Sequence, residues 1–375
     1  MPTGDTVLVL TSPDDPIADA VITALAAHPV RVARIDTGDF PARMRLSATN
    51  LGKGWTGQLY TDHVTVELEQ VRSVYYRRPT RFTFPAGMSE ADRVYGAVEA
   101  RMGLGGVLSA LDCLYVNHPH TAARAEYKPL QQTVAAQAGL TMPATLIGND
   151  HAAAVDFAEA ATGPVVCKTL SSLVLGDESG TPLITYTTRV AVHDIDPDAF
   201  AAMAHCLQSW VDKAWEARIT MVGRRPYGVA IHADSAAARV DWRADYGALR
   251  YSPIQPPVEV TAAMRRYLDL FGLSFGAFDF GITGDGQWLA YATPAPNGCG
   301  WSTRPTSVSA QRSPNSSPQE PSDDRLDGQG PRPSRPSGRV RASDGQPVAT
   351  GIPDDPPAPL RAPVLARPRH PARWG

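Results

Sequence analysis

Two charged residues sit where a charge is costly. Lys168 lies in the apolar run "VVCKTL" and Asp279 in "FGAFDFG", each flanked by residues suited to the interior of a strand. Burying an ammonium without an anion costs too much to be an accident of packing, so Lys168 is expected to meet a phosphate. Asp279 is followed by a Gly284-Asp285-Gly286 turn and a second strand, "QWLAY", an order that suits a carboxylate at the floor of a metal site. The next step should bring another oxygen ligand. It reads Ala292-Thr293-Pro294-Ala295-Pro296 and offers only a threonine hydroxyl.

Basic residues are used unevenly, which sharpens the reading of Lys168. The chain has four lysines, Lys53, Lys128, Lys168 and Lys213, against 31 arginines. Where arginine supplies nearly all surface charge, a lysine kept inside an apolar strand stands out. A net charge of -3 over 375 residues gives no polyelectrolyte signal for nucleic acid or an anionic membrane. Cys113, Cys167, Cys206 and Cys299 show no CxxC or zinc spacing, which fits a reduced compartment. With no basic, apolar leader at the start and no apolar run long enough to span a bilayer, the expectation is a soluble, cytoplasmic protein.

The elements that must position these residues follow from periodicity. "TVLVLT", "DPIADAVITALAAH" and "VRVARIDT" read as strand, helix and strand, an α/β opening. The turn "TSPDDP" lacks glycine, so a dinucleotide site is not expected there. "MRLSATN", "GWTGQLYT" and "HVTVELEQ" suggest a small antiparallel addition, and "VRSVYYRRPTRF" sets Arg77 and Arg78 at a strand end, facing either a ligand or solvent. A strand then ends at Asn117, and one helix is expected from about Thr121 to Ala138 with Lys128 near its middle. Next come "GLTMPATLI", the helix "HAAAVDFAEAA", the Lys168 strand, and a hairpin over Ser171–Val190. From Ser302 onward the chain carries 15 of its 34 prolines, no lysine and one aromatic residue, Trp374, a composition expected to stay disordered.

The ordered series "LVLTSPDDP", "DTGDFP", "VYYRRP", "NHP…AEYKPLQ", "GLTMPATLI", "VVCKTL", "ARITMVG" and "FGAFDF" resembles the ATP-grasp superfamily, and more closely the graspetide (microviridin-type) ribosomal peptide maturases of actinobacteria. The resemblance covers roughly residues 5–291. It implies an α/β chain in which a small pre-ATP-grasp domain (1–119) precedes an ATP-grasp fold with a central subdomain (120–205) and a C-terminal subdomain (206–301), followed by the tail (302–375). It implies an ATP- and Mg2+-dependent ligase that activates Asp or Glu side chains of a precursor peptide (leader plus core) as acyl phosphates and closes ester or amide crosslinks. Homodimerisation is left open. On the residues, Lys128 and Lys168 resemble the two phosphate-binding lysines, Gln208, Ser209, Trp210 and Val211 the hinge under the adenine, Arg218 and Arg243 the arginines that steady the transferring phosphoryl, and Asp279 the first magnesium ligand. Leader docking is implied near the Ser171–Val190 hairpin.

The chain departs from that family where an E-x-N step is expected, at Ala292 and Pro294. Synonymous codons exist for Ala292–Ala310 that, read in another frame, spell Asn-Pro, a strand and the start of a helix. The sequence therefore raises an out-of-frame C-terminus from about Ala292, with a genuine Pro-rich tail as the alternative. Two further readings stay open: an inactive homologue that holds ATP or a leader peptide, and an ATP-grasp ligase acting on a small amino acid or a protein C-terminus.

Overall fold

The computed structural model describes residues 4–170, 174–176, 182–184 and 186–292. The tail, Pro294, Cys299 and the expected hairpin turn lie outside these residues.

The N-terminal part contains β1 (Thr6–Leu10), α1 (Pro16–Leu25), β2 (Arg31–Ile35), β3 (Arg45–Asn50), β4 (Trp55–Tyr60), β5 (Thr65–Glu67), β6 (Val71–Tyr76), α2 (Glu90–Ser109) and β7 (Leu114–Val116). A parallel sheet in the order β2-β1-β6-β7 carries an antiparallel β3-β4-β5 sheet beside it, as the sequence predicts. Leu8, Leu10, Leu59, Val66 and Leu104 fill its core. Helix α2 escapes periodicity because its exposed face is apolar too: Val94, Tyr95, Val98 and Met102 are exposed, while Ala100, Leu104, Val107 and Leu108 are buried. Its start has a local signal nonetheless: the Ser89 hydroxyl accepts from the Asp92 N–H.

Arg77 does not face a ligand. It turns inward and donates from Nε to Asp15 at 2.5 Å, both side chains being buried, while Arg78 is exposed. Asp15 also accepts from the Thr11 hydroxyl at 2.6 Å and caps α1 through the Ile17 and Ala18 N–H groups. Burial alone would raise its pKa, but the hydrogen bonds from Thr11, Arg77 and Ala18 outweigh that and hold it below the usual carboxylate range.

The helix expected over 121–138 is two: α3 (Pro119–Ala125) and α4 (Lys128–Ala138). Pro129 lacks an N–H and fits only the first turn of a helix, so the chain restarts at Lys128 rather than running through it. The chain continues through β8 (Thr145–Gly148), α5 (His151–Ala160), β9 (Val165–Lys168), β10 (Val174–Gly176), β11 (Pro182–Ile184), β12 (Thr188–Val190), α6 (Pro197–Ala201) and β13 (His205–Ser209). Strands β10 and β11 form the expected hairpin pair. The sheet β12-β9-β13-β8 packs on α5 and α6 through Ala154, Val165, Phe200 and Leu207.

The last part holds β14 (Lys213–Val222), β15 (Arg225–Ala233), α7 (Ala236–Val240), β16 (Leu249–Ile254), α8 (Val258–Phe271), β17 (Phe275–Thr283) and β18 (Trp288–Ala292) in a sheet of order β16-β15-β14-β17-β18. One face of this sheet is sealed. Ala217, Ile219 and Met221 of β14 and Phe278 and Phe280 of β17 pack with Val134, Ala135 and Ala138 of α4 and Met264, Tyr267 and Phe271 of α8. Helix α4 thus shares its core with the last sheet rather than with β8 and β9. Asn117 ties the two ends of the molecule's framework: its amide accepts from Ser274 and Phe275 N–H at 2.8 and 3.0 Å and donates to Phe275 O at 2.9 Å, pinning the start of the strand that carries Asp279.

Candidate nucleotide and phosphoryl-transfer site

Strand alternation decides what the open face of the last sheet presents. With Ala217, Ile219 and Met221 sealed against the helices, Glu216, Arg218 and Thr220 point the other way. Arg218 pairs with Asp279 on β17, and Asp279 pairs in turn with position 292 on β18, so three neighbouring strands place residues 218, 279 and 292 in one row.

Arg218 and Asp279 are both buried. Arg243, which follows the short α7 in a single 3-10 turn, donates from Nη2 to Asp279 Oδ2 at 3.0 Å and from Nη1 to Asp241 Oδ1 at 3.1 Å. Asp241 is fixed further by the Thr187 N–H at 3.1 Å. Both arginines lie against the buried Trp242 ring, at 5.6 Å for Arg218 and 4.7 Å for Arg243. The row leaves polar atoms unsatisfied. Arg218 Nε stands 3.7 Å from Asp279 Oδ1, beyond hydrogen-bond reach, and Arg218 Nε, Arg218 Nη1 and Asp279 Oδ1 are buried with no hydrogen-bond partner among the described residues. Buried donors and acceptors left this way normally find a partner, so these atoms mark where an anion and a cation would go.

Across the cleft, Lys168 ends β9 opposite Cys206 of β13 and donates to Gln208 Oε1 at 2.6 Å. Gln208 is held by its own donation to Thr145 Oγ1 at 2.9 Å. Desolvation, reinforced by Lys213 and Arg243, brings the Lys168 amine down to about 8. Lys128, at the first turn of α4, donates to Leu170 O at 2.9 Å, and desolvation lowers its pKa too. The two lysines, Gln208, Thr145, Cys206 and Tyr291 line one small cleft. The remaining hinge residues follow Gln208 at the end of β13: the Ser209 and Trp210 N–H groups donate to Ala144 O and Pro164 O, the Trp210 ring lies under the Arg189 guanidinium at 4.1 Å, and Val211 is buried. Gln208 thus acts through its side chain on Lys168.

Four residues of the site escape the sequence reading. Lys213 and Glu216 form a buried ion pair, and desolvation raises the Glu216 pKa, with Asp279 and Asp241 adding to the rise. Asp241 orients Arg243. Tyr291 lies under the Lys168 and Lys213 ammonium groups, at 4.7 and 5.3 Å from its ring centroid. Its phenol passes over Gly281, where any Cβ would fall 2.0 Å from the hydroxyl. A period-2 reading of "KAWEAR" was available for Glu216, because it shares a face with Arg218 two residues on.

The residues present fit one carboxylate of a magnesium site. Magnesium takes few protein carboxylates and completes its octahedron with phosphates and water, and Asp279 Oδ1 is a bare oxygen suited to it. Among the described residues no group of three or more His, Cys, Asp or Glu side chains is assembled for a metal.

One protein family and several solved structures are similar to this chain. Residues 6–123 match the family described as the MvdD pre-ATP grasp domain. The macrocyclase MdnC bound with precursor peptide MdnA from Microcystis aeruginosa MRC is 28% identical, with a TM-score of 0.66 over 78% of this chain and 92% of that one. The macrocyclase MdnB from the same organism is 25% identical, with a TM-score of 0.64 over 78% and 92%. A Chryseobacterium gregarium RiPP-associated ATP-grasp ligase in complex with ADP, leader and core peptide shares the fold at 24% identity, with a TM-score of 0.71 over 78% and 89%. No curated protein matches. The fold is an ATP-grasp fold behind a pre-ATP-grasp domain. The macrocyclases MdnC and MdnB are each covered over 92% of their length by this similarity.

Proposed function

We propose that the chain uses ATP to activate Asp or Glu side chains of a ribosomal precursor peptide and closes ester or amide crosslinks within it. The observation that carries this reading is the row of Arg218 and Asp279, whose buried nitrogens and oxygen lack partners among the described residues, with Arg243, bonded to Asp279, within electrostatic reach of Lys128 and Lys168. A nucleotide lying between the two lysines, with its adenine edge toward Gln208–Val211, would bring its γ-phosphoryl to Arg218 and Arg243. A peptide carboxylate oxygen attacks that phosphorus and ADP leaves, giving an acyl phosphate. A hydroxyl or amine of the same peptide then attacks the acyl carbon, the carbon–oxygen bond to phosphate breaks, and the nucleophile gives up its proton. Lys168, Arg218 and Arg243 hold the phosphate charge in place, and positioning with fixed electrostatics supplies most of the rate. Magnesium, when bound, neutralises charge on the phosphate oxygens, and Asp279 is the residue that would hold it.

The same geometry gives weight to one other reading. Position 292, opposite Asp279, is an alanine without an oxygen ligand, which favours tight nucleotide binding with slow turnover. Peptide-dependent release of ADP, followed with a coupled assay against a no-peptide control, separates a working ligase from a protein that only binds.

A further inference from the structure

Tyr291 enters the cleft of the two lysines from the opposite side. Lys128, Thr145, Lys168, Cys206 and Gln208 line it from α4 and from strands β8, β9 and β13, whereas Tyr291 reaches over from β18 of the last sheet. An irregularity in that strand sends it there. Ala290 pairs with Phe280 and Ala292 with Asp279, so Tyr291 is the extra residue of a bulge, with no partner of its own on β17. A bulge bends its strand and re-aims the side chain it carries. Gly281 completes the path, since a Cβ there would stand 2.0 Å from the Tyr291 hydroxyl.

The ring occupies space that a nucleotide needs. Its centroid lies 4.7 Å from the Lys168 ammonium and 5.3 Å from that of Lys213. The cleft beside it keeps about 20 Å3, room for about one water, where small-molecule sites run to roughly 300–1,000 Å3. The hold on the ring is one that a phosphate breaks. Burial and the nearby Glu216 raise the phenol pKa, so the ring is neutral and meets the ammonium groups through its face alone. A phosphate oxygen offers Lys168 a charge-assisted hydrogen bond, the stronger contact of the two. We propose that Tyr291 is a plug: its ring closes the cleft over Lys168, and a nucleotide binds only after the ring has swung away from both lysines. This rests on the ligase reading above and adds the residue that regulates entry to its nucleotide site.

The test compares the full chain with Gly281→Ala and Tyr291→Leu. Gly281→Ala leaves Tyr291 in the chain and displaces only the far end of its side chain. Two probes are used: N-methylanthraniloyl-ADP followed by stopped flow, and N-ethylmaleimide on Cys206, which is buried in the same cleft. A ligand meets a competent cleft in proportion to how often the ring is out, so affinity for the ADP analogue should rise roughly threefold or more in both variants, with faster association. With no nucleotide added, Cys206 should be alkylated faster in both, as read by peptide mass spectrometry. A rise in affinity that is missing from either variant overturns the plug and leaves the ligase reading standing. An ADP analogue that binds none of the three proteins overturns the ligase reading, and the Cys206 rates still decide whether the ring closes the cleft.

Discussion

Asp279 and Ala292 are direct partners across the β17–β18 pair, and Arg218 flanks Asp279 on its other side. A carboxylate at 292 would therefore enter the same row as Asp279, the residue proposed to hold magnesium. Ala292→Glu should raise the affinity for Mn2+ in the presence of ADP by roughly tenfold or more, measured by electron paramagnetic resonance, since outer and inner ligands of a metal site are worth that much. Peptide-dependent ADP release should rise with it. Unchanged Mn2+ affinity would mean that the metal is held elsewhere.

Lys168 and Lys53 give a matched pair of lysine deletions. Lys53 is exposed in a glycine-rich turn, whereas Lys168 lies in the cleft and touches Gln208. Calorimetry should show ADP binding largely lost in Lys168→Ala and intact in Lys53→Ala. Equal affinities would remove Lys168 from the site.

The Lys168 amine also sets a pH dependence. Its pKa in the cleft is about 8, below the ordinary lysine value of about 10.4, and a bound phosphate would raise it again. Phosphate binding favours the protonated amine, so affinity is fully present below pH 8 and falls as pH rises above it, with proton uptake on binding in that range. Titrations in two buffers of different ionisation enthalpy measure the uptake. A flat affinity from pH 7 to pH 9.5 contradicts the assignment.

Asp15 should matter for stability rather than for chemistry. It is shared by Thr11, Arg77 and the first turn of α1, and breaking a buried ion pair costs about 3–5 kcal/mol. Asp15→Ala should lower the urea midpoint accordingly. Because its folded pKa is depressed, Asp15 stabilises the fold above the ordinary carboxylate pKa, and that contribution is lost as pH falls through the folded value. A midpoint matching that of the unsubstituted chain would show the pair to be dispensable.

What the sequence made legible follows from how local each signal is. Lys168 and Asp279 could be found because a charge inside a short apolar strand is conspicuous in one dimension. The strands of both parallel and antiparallel sheets could be read for the same reason. The break before Lys128 had a local cause, Pro129, that the helical pattern on either side concealed. Tyr291 and Asp241 had no such signal: each matters through residues far along the chain, Tyr291 through Lys168 and Lys213, Asp241 through Arg243 and Thr187. Arg77 was ambiguous because a strand end is open to ligand and to packing alike, and only the tertiary position of Asp15 decides between them.

The most direct test of the account is mass spectrometry of a Thr- and Asp/Glu-rich precursor peptide incubated with the full chain, ATP and Mg2+, with ADP release followed in parallel. The account predicts a peptide lighter by one water for each crosslink, formed together with ADP and abolished in Lys168→Ala. ADP formation driven by a free amino acid, with the peptide mass unchanged, would contradict it.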